Sequence, residues 1–373
     1  MTQVHSSAHH YRFLDGMRGL AAAFVVLHHT SYYLPVLPRL LTFGLGFLRM
    51  GHYAVAVFIV LSGYCLMLPI VKDGELRGGA LGFLGRRAKR ILPPYYAALA
   101  FSIFLYNVMG RSMTAGTVVS HVFMFHNLSA AWSRSLDAPL WSVASEWQIY
   151  FLLPFFFLPI CKRFGMTVAA SAGLLLGIIP LVTLPPASNF SWACPQYIGL
   201  FGLGMAAASA PRPSRLPWGT LAVAGMGLFC VFVVLGSLLK GQLIPQGMHI
   251  TEAWPLDILI GAVTASVIIF CANAGSPSPC RRSVLLRLFS SRFAVGIGSF
   301  SYSLYLVHHP LLMLMVPWLR VYSHSTVIYS ALLFGTVLPV VAGVAYLFYL
   351  VAERPFLAKR KTPNPLAPVQ TAN

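Results

Sequence analysis

The chain has 373 residues, of which 57% are hydrophobic and only 9% are charged, and its formal net charge is +18. Ordinary soluble domains carry roughly 25% charged residues, so this composition excludes a soluble globular fold and indicates an integral membrane protein. The positive charge does not indicate a nucleic-acid partner, because its distribution along the chain follows the membrane topology predicted below.

Ten apolar segments predict an all-α, polytopic membrane helix bundle with about ten transmembrane helices. Most of the segments approach the ~20 residues that a helix needs to cross the hydrocarbon core of a bilayer, and the sixth is shorter. They are approximately residues 19–36, 53–70, 92–109, 145–161, 166–184, 194–209, 217–239, 255–273, 298–318 and 327–351.

Basic residues are concentrated on alternate segments between these spans. With a cytoplasmic N-terminus, only six of the 26 Lys and Arg residues fall on outer segments, as the positive-inside rule requires. Both termini are then cytoplasmic. The apolar patch within residues 110–144 is predicted to be an interfacial or re-entrant helix, because a crossing there would spoil this asymmetry. The six outer residues are Arg39, Arg49, Arg111, Arg134, Lys240 and Arg320.

The first span carries ionisable residues on one helical stripe. Arg18 and His29 are eleven residues apart, which places them ~20° apart around a helix and ~16 Å apart along it. An arginine at the membrane rim can hold a phosphate or carboxylate, whereas a histidine at membrane depth stays neutral and can accept a proton. The alternative is structural: Arg18 marks the inner border of the span, and His29 hydrogen-bonds a neighbouring helix.

The third span begins with a basic cluster, "RRAKRILPPYY". Arg87 and Arg90 lie three positions apart, on neighbouring faces of one helical turn. Two such guanidinium groups can grip a phosphorylated cofactor. The positive-inside bias explains the charge of this cluster but not the spacing, and both interpretations stay open.

The fourth span begins with "PLWSVASEWQIYFLLPFF", in which Glu146 precedes an otherwise apolar run. A glutamate near the start of a helix is favoured by the helix dipole, which is the structural interpretation. Ionisable groups at membrane depth are also candidates for function. Trp141 fits an interfacial aromatic belt without any chemical role.

The ninth and tenth spans add further polar residues. In "GSFSYSLYLVHHPLL", Tyr305 and His308 lie close together around the helix, and Pro310 is predicted to kink the helix beside them. An interhelical hydrogen bond is the structural alternative for His308. In "YLVAERPF", Glu353 lies on the same predicted side as the arginines, so it is predicted to form a structural ion pair.

Together these stretches resemble acyltransferase family 3, whose members are multi-span membrane enzymes. The resemblance extends in order over residues 12–356, with Trp147 replacing a second acidic residue that the family usually has, so a two-carboxylate mechanism is not expected. The matching motifs are "LDGMRGLAAAFVVLHH", "VFIVLSGYCL" with Ser62, "RRAKRILPPYY", "WSVASEWQIYFL", "SYSLYLVHHPL" and "ERPF".

The resemblance implies an O-acyltransferase of the bacterial plasma (inner) membrane. Such an enzyme moves an acyl group, usually acetyl, from cytoplasmic acyl-CoA to a hydroxyl group of a carbohydrate or glycosylated acceptor, without a permanently bound cofactor or metal. We expect one integral-membrane acyltransferase domain over residues 1–358, a disordered cytoplasmic tail over 359–373, and no appended extracytoplasmic domain. The expected partners are acyl-CoA, a hydroxyl acceptor that the resemblance implies is a sugar, and the lipid bilayer. No nucleic-acid partner is expected.

The resemblance also implies roles for the candidate residues. Catalysis is assigned to two of them: His29 acts as general base or as a covalent acyl carrier, and Glu146 orients the acceptor or the imidazole from the outer side. The chemistry requires a passage from the inner arginines to His29. The arginines that hold the phosphates of acyl-CoA are Arg18, Arg87 and Arg90, and the cavity residues are Ser62, Trp141, Tyr305 and His308.

A transporter of a lipid-linked saccharide or small molecule is the alternative function. Buried histidines and arginines also mark permeation routes in membrane proteins. The ordered motifs and a basic inner site without matching outer charges favour the enzyme. Turnover of acyl-CoA separates the two, because a transporter does not consume the thioester.

Overall fold

The computed structural model of the chain describes residues 4–34, 45–185, 192–211, 216–239, 253–274, 283–323 and 325–357. Side chains are described from residue 12 onward within these ranges. The predicted tail at 359–373 and the predicted outer residues Arg39 and Lys240 lie outside the described residues.

The described part of the chain is helical and contains no strand, which confirms the all-α prediction. Short 3₁₀ turns cover Gly46–Met50, His126–Leu128 and Arg354–Phe356. The α-helices in chain order are α1 (Val4–Ser31), α2 (His52–Asp73), α3 (Gly79–Val108), α4 (Ala115–Val122), α5 (Ala130–Ser133), α6 (Leu140–Leu152), α7 (Leu158–Phe164), α8 (Met166–Thr183), α9 (Gln196–Ser209), α10 (Trp218–Leu239), α11 (Trp254–Ala274), α12 (Val284–Phe289), α13 (Arg292–Ser299), α14 (Ser301–Tyr322), α15 (Thr326–Leu332) and α16 (Leu338–Phe348).

Eight helices in the described residues are long and apolar enough to cross a membrane. Two of them contain π-helical segments: Leu153–Phe157 joins α6 to α7, and Leu333–Val337 joins α15 to α16. The chain is therefore a multi-pass membrane protein. The eight are α2, α3, α6 with α7, α8, α10, α11, α14, and α15 with α16.

The other two predicted spans correspond to α1 and α9. Helix α1 has 28 residues, and at ~1.5 Å per residue it is long enough to cross the bilayer, but it carries charged and histidine residues. Helix α9 has 14 residues, fewer than a span needs, and most of its residues are buried against α2, α8 and α11. The count of ten spans and the cytoplasmic position of both termini stay predictions.

Glycines let the central helices touch backbone to backbone. A Cβ atom on Gly63 of α2 would collide with the carbonyl oxygen of Phe201 on α9. A Cβ atom on Gly19 of α1 would likewise collide with the carbonyl oxygen of Ala294 on α13. Small residues at helix crossings are the usual way in which membrane helices approach closely. The contact at Gly19 packs α1 against α13, and α1 also contacts α2 and α14.

The segment between α3 and α6 contains only short helices, α4 and α5 with the 3₁₀ turn at His126–Leu128. The eight-residue helix α4 is far too short to cross a membrane. This agrees with the absence of a predicted span there, and an interfacial or re-entrant position stays a prediction. Helix α14 continues through Pro310 from Ser301 to Tyr322.

Candidate functional site

Two predicted site residues, His29 on α1 and His308 on α14, are in direct contact. The Nε2 atom of His308 lies 3.0 Å from the Nδ1 atom of His29. On the other side of the His308 ring, Nδ1 lies 3.0 Å from the Leu304 carbonyl oxygen and 2.8 Å from that of Tyr305. Carbonyl oxygens only accept hydrogen bonds, so Nδ1 of neutral His308 carries the hydrogen and Nε2 is the acceptor.

This arrangement also assigns the hydrogen on His29. Its Nδ1 atom is 3.0 Å from the Val25 carbonyl oxygen, and the His308 Nε2 atom is its second acceptor. The hydrogen of neutral His29 therefore sits on Nδ1, and the lone pair sits on Nε2. No described residue hydrogen-bonds to His29 Nε2. The ring thus presents a proton-accepting atom that the described part of the protein leaves unoccupied.

A third imidazole, His309, completes the cluster and faces an aspartate. The His309 ring centroid lies 5.3 Å from that of His29, in an edge-to-face arrangement. Its Nδ1 atom is 3.3 Å from Oδ1 of Asp137, although the two atoms are not aligned as a hydrogen bond. Asp137 is fully buried and accepts a hydrogen bond of 3.2 Å from Ser102 on α3.

Tyr305 anchors this histidine cluster to the start of α6. Its hydroxyl lies 2.6 Å from the Ser142 hydroxyl and donates to the Pro139 carbonyl oxygen at 3.1 Å. The Tyr305 ring is 5.9 Å from the His308 ring. The predicted neighbours Tyr305 and His308 therefore lie together, next to His29.

The arginine end of the site begins at Arg18, on the same helix as His29. The Arg18 guanidinium donates to Asp15 Oδ1 at 3.1 Å and to the Cys65 sulfur at 2.9 Å. Arg87 is half-buried on α3, and its Nε atom is buried without a hydrogen-bonding partner in the described structure. Arg90 is exposed three residues further along α3. An unpaired buried donor such as Arg87 Nε is costly unless a ligand or water occupies it.

Glu146 lies with the arginines rather than with His29. The Tyr150 hydroxyl donates to Glu146 Oε1 at 2.5 Å, so the Ser62 hydroxyl, 3.0 Å away, must donate to the Tyr150 oxygen. Both Arg18 and Arg87 lie within electrostatic range of Glu146 and Tyr150. The expected contact between Glu146 and the imidazole is not found, because Glu146 is one helical turn from Ser142 and points to Tyr150 instead.

Trp141 belongs to a second polar cluster that sequence reasoning missed. Its ring is 5.9 Å from His52 and 5.9 Å from Tyr197, and all three rings are close to parallel. His52 Nε2 is 3.0 Å from Oδ2 of the fully buried Asp257, to which Gln196 also donates at 2.8 Å. The sequence did contain a signal for this cluster, because Asp257 is an ionisable residue inside an apolar predicted span.

Glu353 caps a helix instead of forming the predicted ion pair. Its Oε2 accepts from the Ser303 backbone N–H at 3.1 Å and from the Ser303 hydroxyl at 2.5 Å. Among the described residues, no cationic side chain lies within 4.0 Å of it. Ser303 is in the first turn of α14, where backbone N–H groups lack helical partners and the helix dipole favours an anion. That geometry supplies the physical reason for the difference.

A second histidine pair, His121 and His126, lies outside the membrane-spanning segments. Their rings stack 3.9 Å apart, with 7° between the planes. Burial, followed by the charge of His121, lowers the pKa of His126 to about 3. Burial also lowers the pKa of His121. Both rings are therefore neutral in the folded protein at neutral pH.

The chain is similar to known proteins over most of its length. A family profile described as "Acyltransferase domain" matches residues 11–350. The chain is 25% identical over 346 residues to the peptidoglycan O-acetyltransferase OatA of Listeria monocytogenes. It is 26% identical over 357 residues to the putative peptidoglycan O-acetyltransferase YrhL of Bacillus subtilis. It is 24% identical over 359 residues to the putative membrane-bound transacylase BcsY of Komagataeibacter xylinus.

The extent of these matches differs between the two kinds of relative. The matches to the two peptidoglycan enzymes cover 83% and 84% of this chain but only 50% and 51% of those enzymes, so the chain spans about half their length. The match to the transacylase covers 92% of this chain and 82% of that protein. No solved structure is similar enough to match.

Proposed function

The chain belongs to the acyltransferase family, and from that premise we propose that it is a membrane O-acetyltransferase. It transfers an acetyl group from cytoplasmic acetyl-CoA to a hydroxyl of a cell-envelope polysaccharide or peptidoglycan. The observation that carries this proposal is the unoccupied Nε2 atom of His29, on the helix that carries Arg18 ~16 Å away. The names of the two peptidoglycan O-acetyltransferases support the acetyl group and the envelope acceptor.

The donor binds at the arginine end in this proposal. Arg18, Arg87 and Arg90 take the phosphates of acetyl-CoA, since guanidinium groups bind phosphate oxygens through paired hydrogen bonds. The unpartnered Nε of Arg87 provides one donor for that purpose. The pantetheine arm then extends along α1 toward His29. Ser62, Tyr150 and Glu146 line the same end of the route and orient the arm.

The reaction takes place at His29. Its Nε2 atom removes the proton of the acceptor hydroxyl while the hydroxyl oxygen attacks the thioester carbonyl carbon. The carbon–sulfur bond then breaks, and the leaving thiolate takes the proton from the His29 imidazolium. His308 Nε2 accepts the Nδ1–H of His29 throughout and keeps the ring oriented. A covalent acetyl-histidine route uses the same Nε2 atom and stays the alternative.

Thioester consumption by the purified protein tests this function. In detergent or nanodiscs, wild-type protein is expected to release free thiol from acetyl-CoA only when an envelope polysaccharide or peptidoglycan fragment is present. Acetyl phosphate serves as the competing donor. The variant His29→Ala is expected to lose transfer by 10³-fold or more while it inserts and elutes like wild type.

Three outcomes would contradict the proposal. Transport of a saccharide without thioester loss identifies a transporter. Transfer from acetyl phosphate alone overturns acetyl-CoA as donor. Full activity of His29→Ala removes the imidazole from the mechanism.

A further inference from the structure

Two of the three imidazoles in the histidine cluster, His29 and His309, have different electrostatic surroundings. His29 contacts the Val25 carbonyl and the neutral ring of His308. His309 instead has a carboxylate, Asp137 Oδ1, 3.3 Å from its Nδ1. A buried imidazole surrounded by carbonyls and imidazoles is favoured in its neutral form, whereas one beside an anion is favoured in its charged form. The two neighbouring rings are therefore suited to opposite roles.

The surroundings of Asp137 make His309 its nearest ionisable neighbour. The side chain is fully buried, and its Oδ2 accepts the hydrogen of the Ser102 hydroxyl. Its Oδ1 and the His309 Nδ1 are both buried without another partner in the described residues. A buried charge is very costly unless it is paired, and the partner that lies nearest is His309.

The groups around His309 come from three parts of the chain. Helix α1 contributes His29, whose ring centroid is 5.3 Å away. Helix α14 contributes His308, whose ring centroid is 6.5 Å away. The loop before α6 contributes Asp137, and Tyr106 of α3 lies within electrostatic range of that carboxylate. Asp137 is the anion that lies closest to His309 in this set.

From this geometry we propose that His309, held as an imidazolium by Asp137, stabilises the oxyanion of the acetyl-transfer step. The inference rests on the proposed function. When the acceptor oxygen bonds to the thioester carbon, the carbonyl π electrons move onto the carbonyl oxygen. The His309 Nε2–H donates to that oxygen while His29 holds the hydroxyl proton. When the carbonyl reforms, the electrons of the carbon–sulfur bond leave with sulfur, and His309 keeps its proton.

The contact between the two rings places a candidate base beside a candidate oxyanion donor. A reacting carbonyl must sit close to both the base and the oxyanion donor. The rings of His29 and His309 are in edge-to-face contact, and their centroids are 5.3 Å apart. For both rings, the described residues leave Nε2 without a hydrogen-bonding partner. His308 cannot take this role, because its Nδ1 and Nε2 atoms are both already hydrogen-bonded.

Kinetics of two variants test the proposal. His309→Asn is expected to lower kcat by about 10²-fold to 10³-fold with the KM for acetyl-CoA unchanged, as removal of an oxyanion donor does. Asp137→Asn leaves the ring in place but removes its counter-charge. Because His309 must be protonated to act, the alkaline limb of the kcat profile should move to lower pH, while the acid limb, set by His29, stays. Ser102→Ala keeps the carboxylate but removes the hydrogen bond to its Oδ2, so the same limb should move by less than in Asp137→Asn.

A labelling experiment tests the charge of His309 without any acyl donor. Diethyl pyrocarbonate reacts with neutral imidazole, and peptide mass spectrometry of the intact, detergent-solubilised protein locates the product. Asp137→Asn is expected to increase labelling of His309 at pH 7 by fivefold or more. Asp257→Asn is the matched control, because it removes the carboxylate beside His52 and should increase labelling of His52 only.

The outcomes separate this inference from the proposed function. Wild-type protein without thioester turnover overturns the function, and the labelling result then still decides whether Asp137 holds His309 charged. Unchanged His309 labelling in Asp137→Asn, or unchanged pH limbs in an active enzyme, overturns the inference. In Asp137→Asn, a uniform loss of activity across pH, with a folded elution profile, indicates a structural role and also overturns it.

Discussion

The arginine end and the histidine end of the site differ in how completely their polar groups are satisfied. At the arginine end, Arg18 is partly exposed, Arg90 is exposed, and Arg87 keeps an unpaired donor. At the histidine end, His308 is fully buried and is hydrogen-bonded through both nitrogens. Open cationic groups suit reversible binding, whereas a fixed cluster suits chemistry that depends on orientation. In the proposed function, the arginine end therefore supplies affinity and the histidine end supplies turnover.

The largest expected effect tests that division directly. His29→Gln should lower kcat by about 10³-fold or more and leave the KM for acetyl-CoA unchanged, because it removes the base but no donor contact. Arg18→Gln should raise that KM by about 10-fold to 100-fold with a small change in kcat. Steady-state kinetics of purified variants in nanodiscs measure both constants. If Arg18→Gln lowers kcat as strongly as His29→Gln does, the two ends do not have separate roles.

The contact between His29 and His308 gives the next effect. His308→Phe keeps a ring but removes the acceptor of the His29 Nδ1–H, so we expect kcat to fall by about 10-fold to 100-fold. The remaining bond to the Val25 carbonyl limits the loss. His308→Gln offers an amide oxygen and should recover part of the activity. Equal loss in both variants would show that packing, rather than the hydrogen bond, is what matters.

Sequence reasoning selected the arginines and His29 as candidates because charged or histidine residues are rare in apolar segments. Arg18 and His29 share a helical stripe that local periodicity is sufficient to predict. Asp137 precedes α6 outside every predicted span, so its complete burial depends on tertiary contacts with Ser102 and His309. Glu353 was predicted to pair with an arginine because both lie on the same predicted side of the membrane, whereas the first turn of α14 supplies its hydrogen bonds.

The sequence predicted most of the long helices but not which apolar segments are buried in protein rather than in lipid. Eight of the ten apolar segments correspond to helices of membrane-spanning length and composition. Helix α9 has only 14 residues, and most of them are buried in the bundle, where Gly63 of α2 allows a close contact with its backbone. Apolar length reports the burial of a segment, but it does not distinguish burial in protein from burial in lipid.

The pair His121 and His126 can be compared with the histidine end, because it is also buried but lies outside the membrane-spanning segments. The pKa of His126 is lowered to about 3 from 6.5. As pH falls below 6.5 the unfolded segment binds the proton first, so stability is complete above that pH and is lost between about 6.5 and 3. One such group costs about 1.4 kcal/mol per pH unit.

Hydrogen exchange across residues 115–133, corrected for the intrinsic rate, measures this loss. His126→Leu should reduce the pH dependence and leave the share that His121 contributes. The loss should also be absent above pH 7, where both imidazoles are neutral in either state. A wild-type segment whose opening free energy is constant from pH 7 to pH 5 would contradict the prediction.

The smallest effect is expected at the arginine end, from Tyr150→Phe. The substitution removes the hydrogen bond that Tyr150 donates to Glu146 and the acceptor of Ser62. Because Glu146 is half-buried and keeps access to the two arginines, we expect about a threefold to fivefold rise in the KM for acetyl-CoA and little change in kcat. Phe151→Leu, on the exposed side of the same helix, is the matched control and should not change either constant. A fall in kcat that exceeds the rise in KM would contradict this prediction. It would show that Tyr150 acts in the acetyl-transfer step with the histidine end rather than in donor binding with the arginine end.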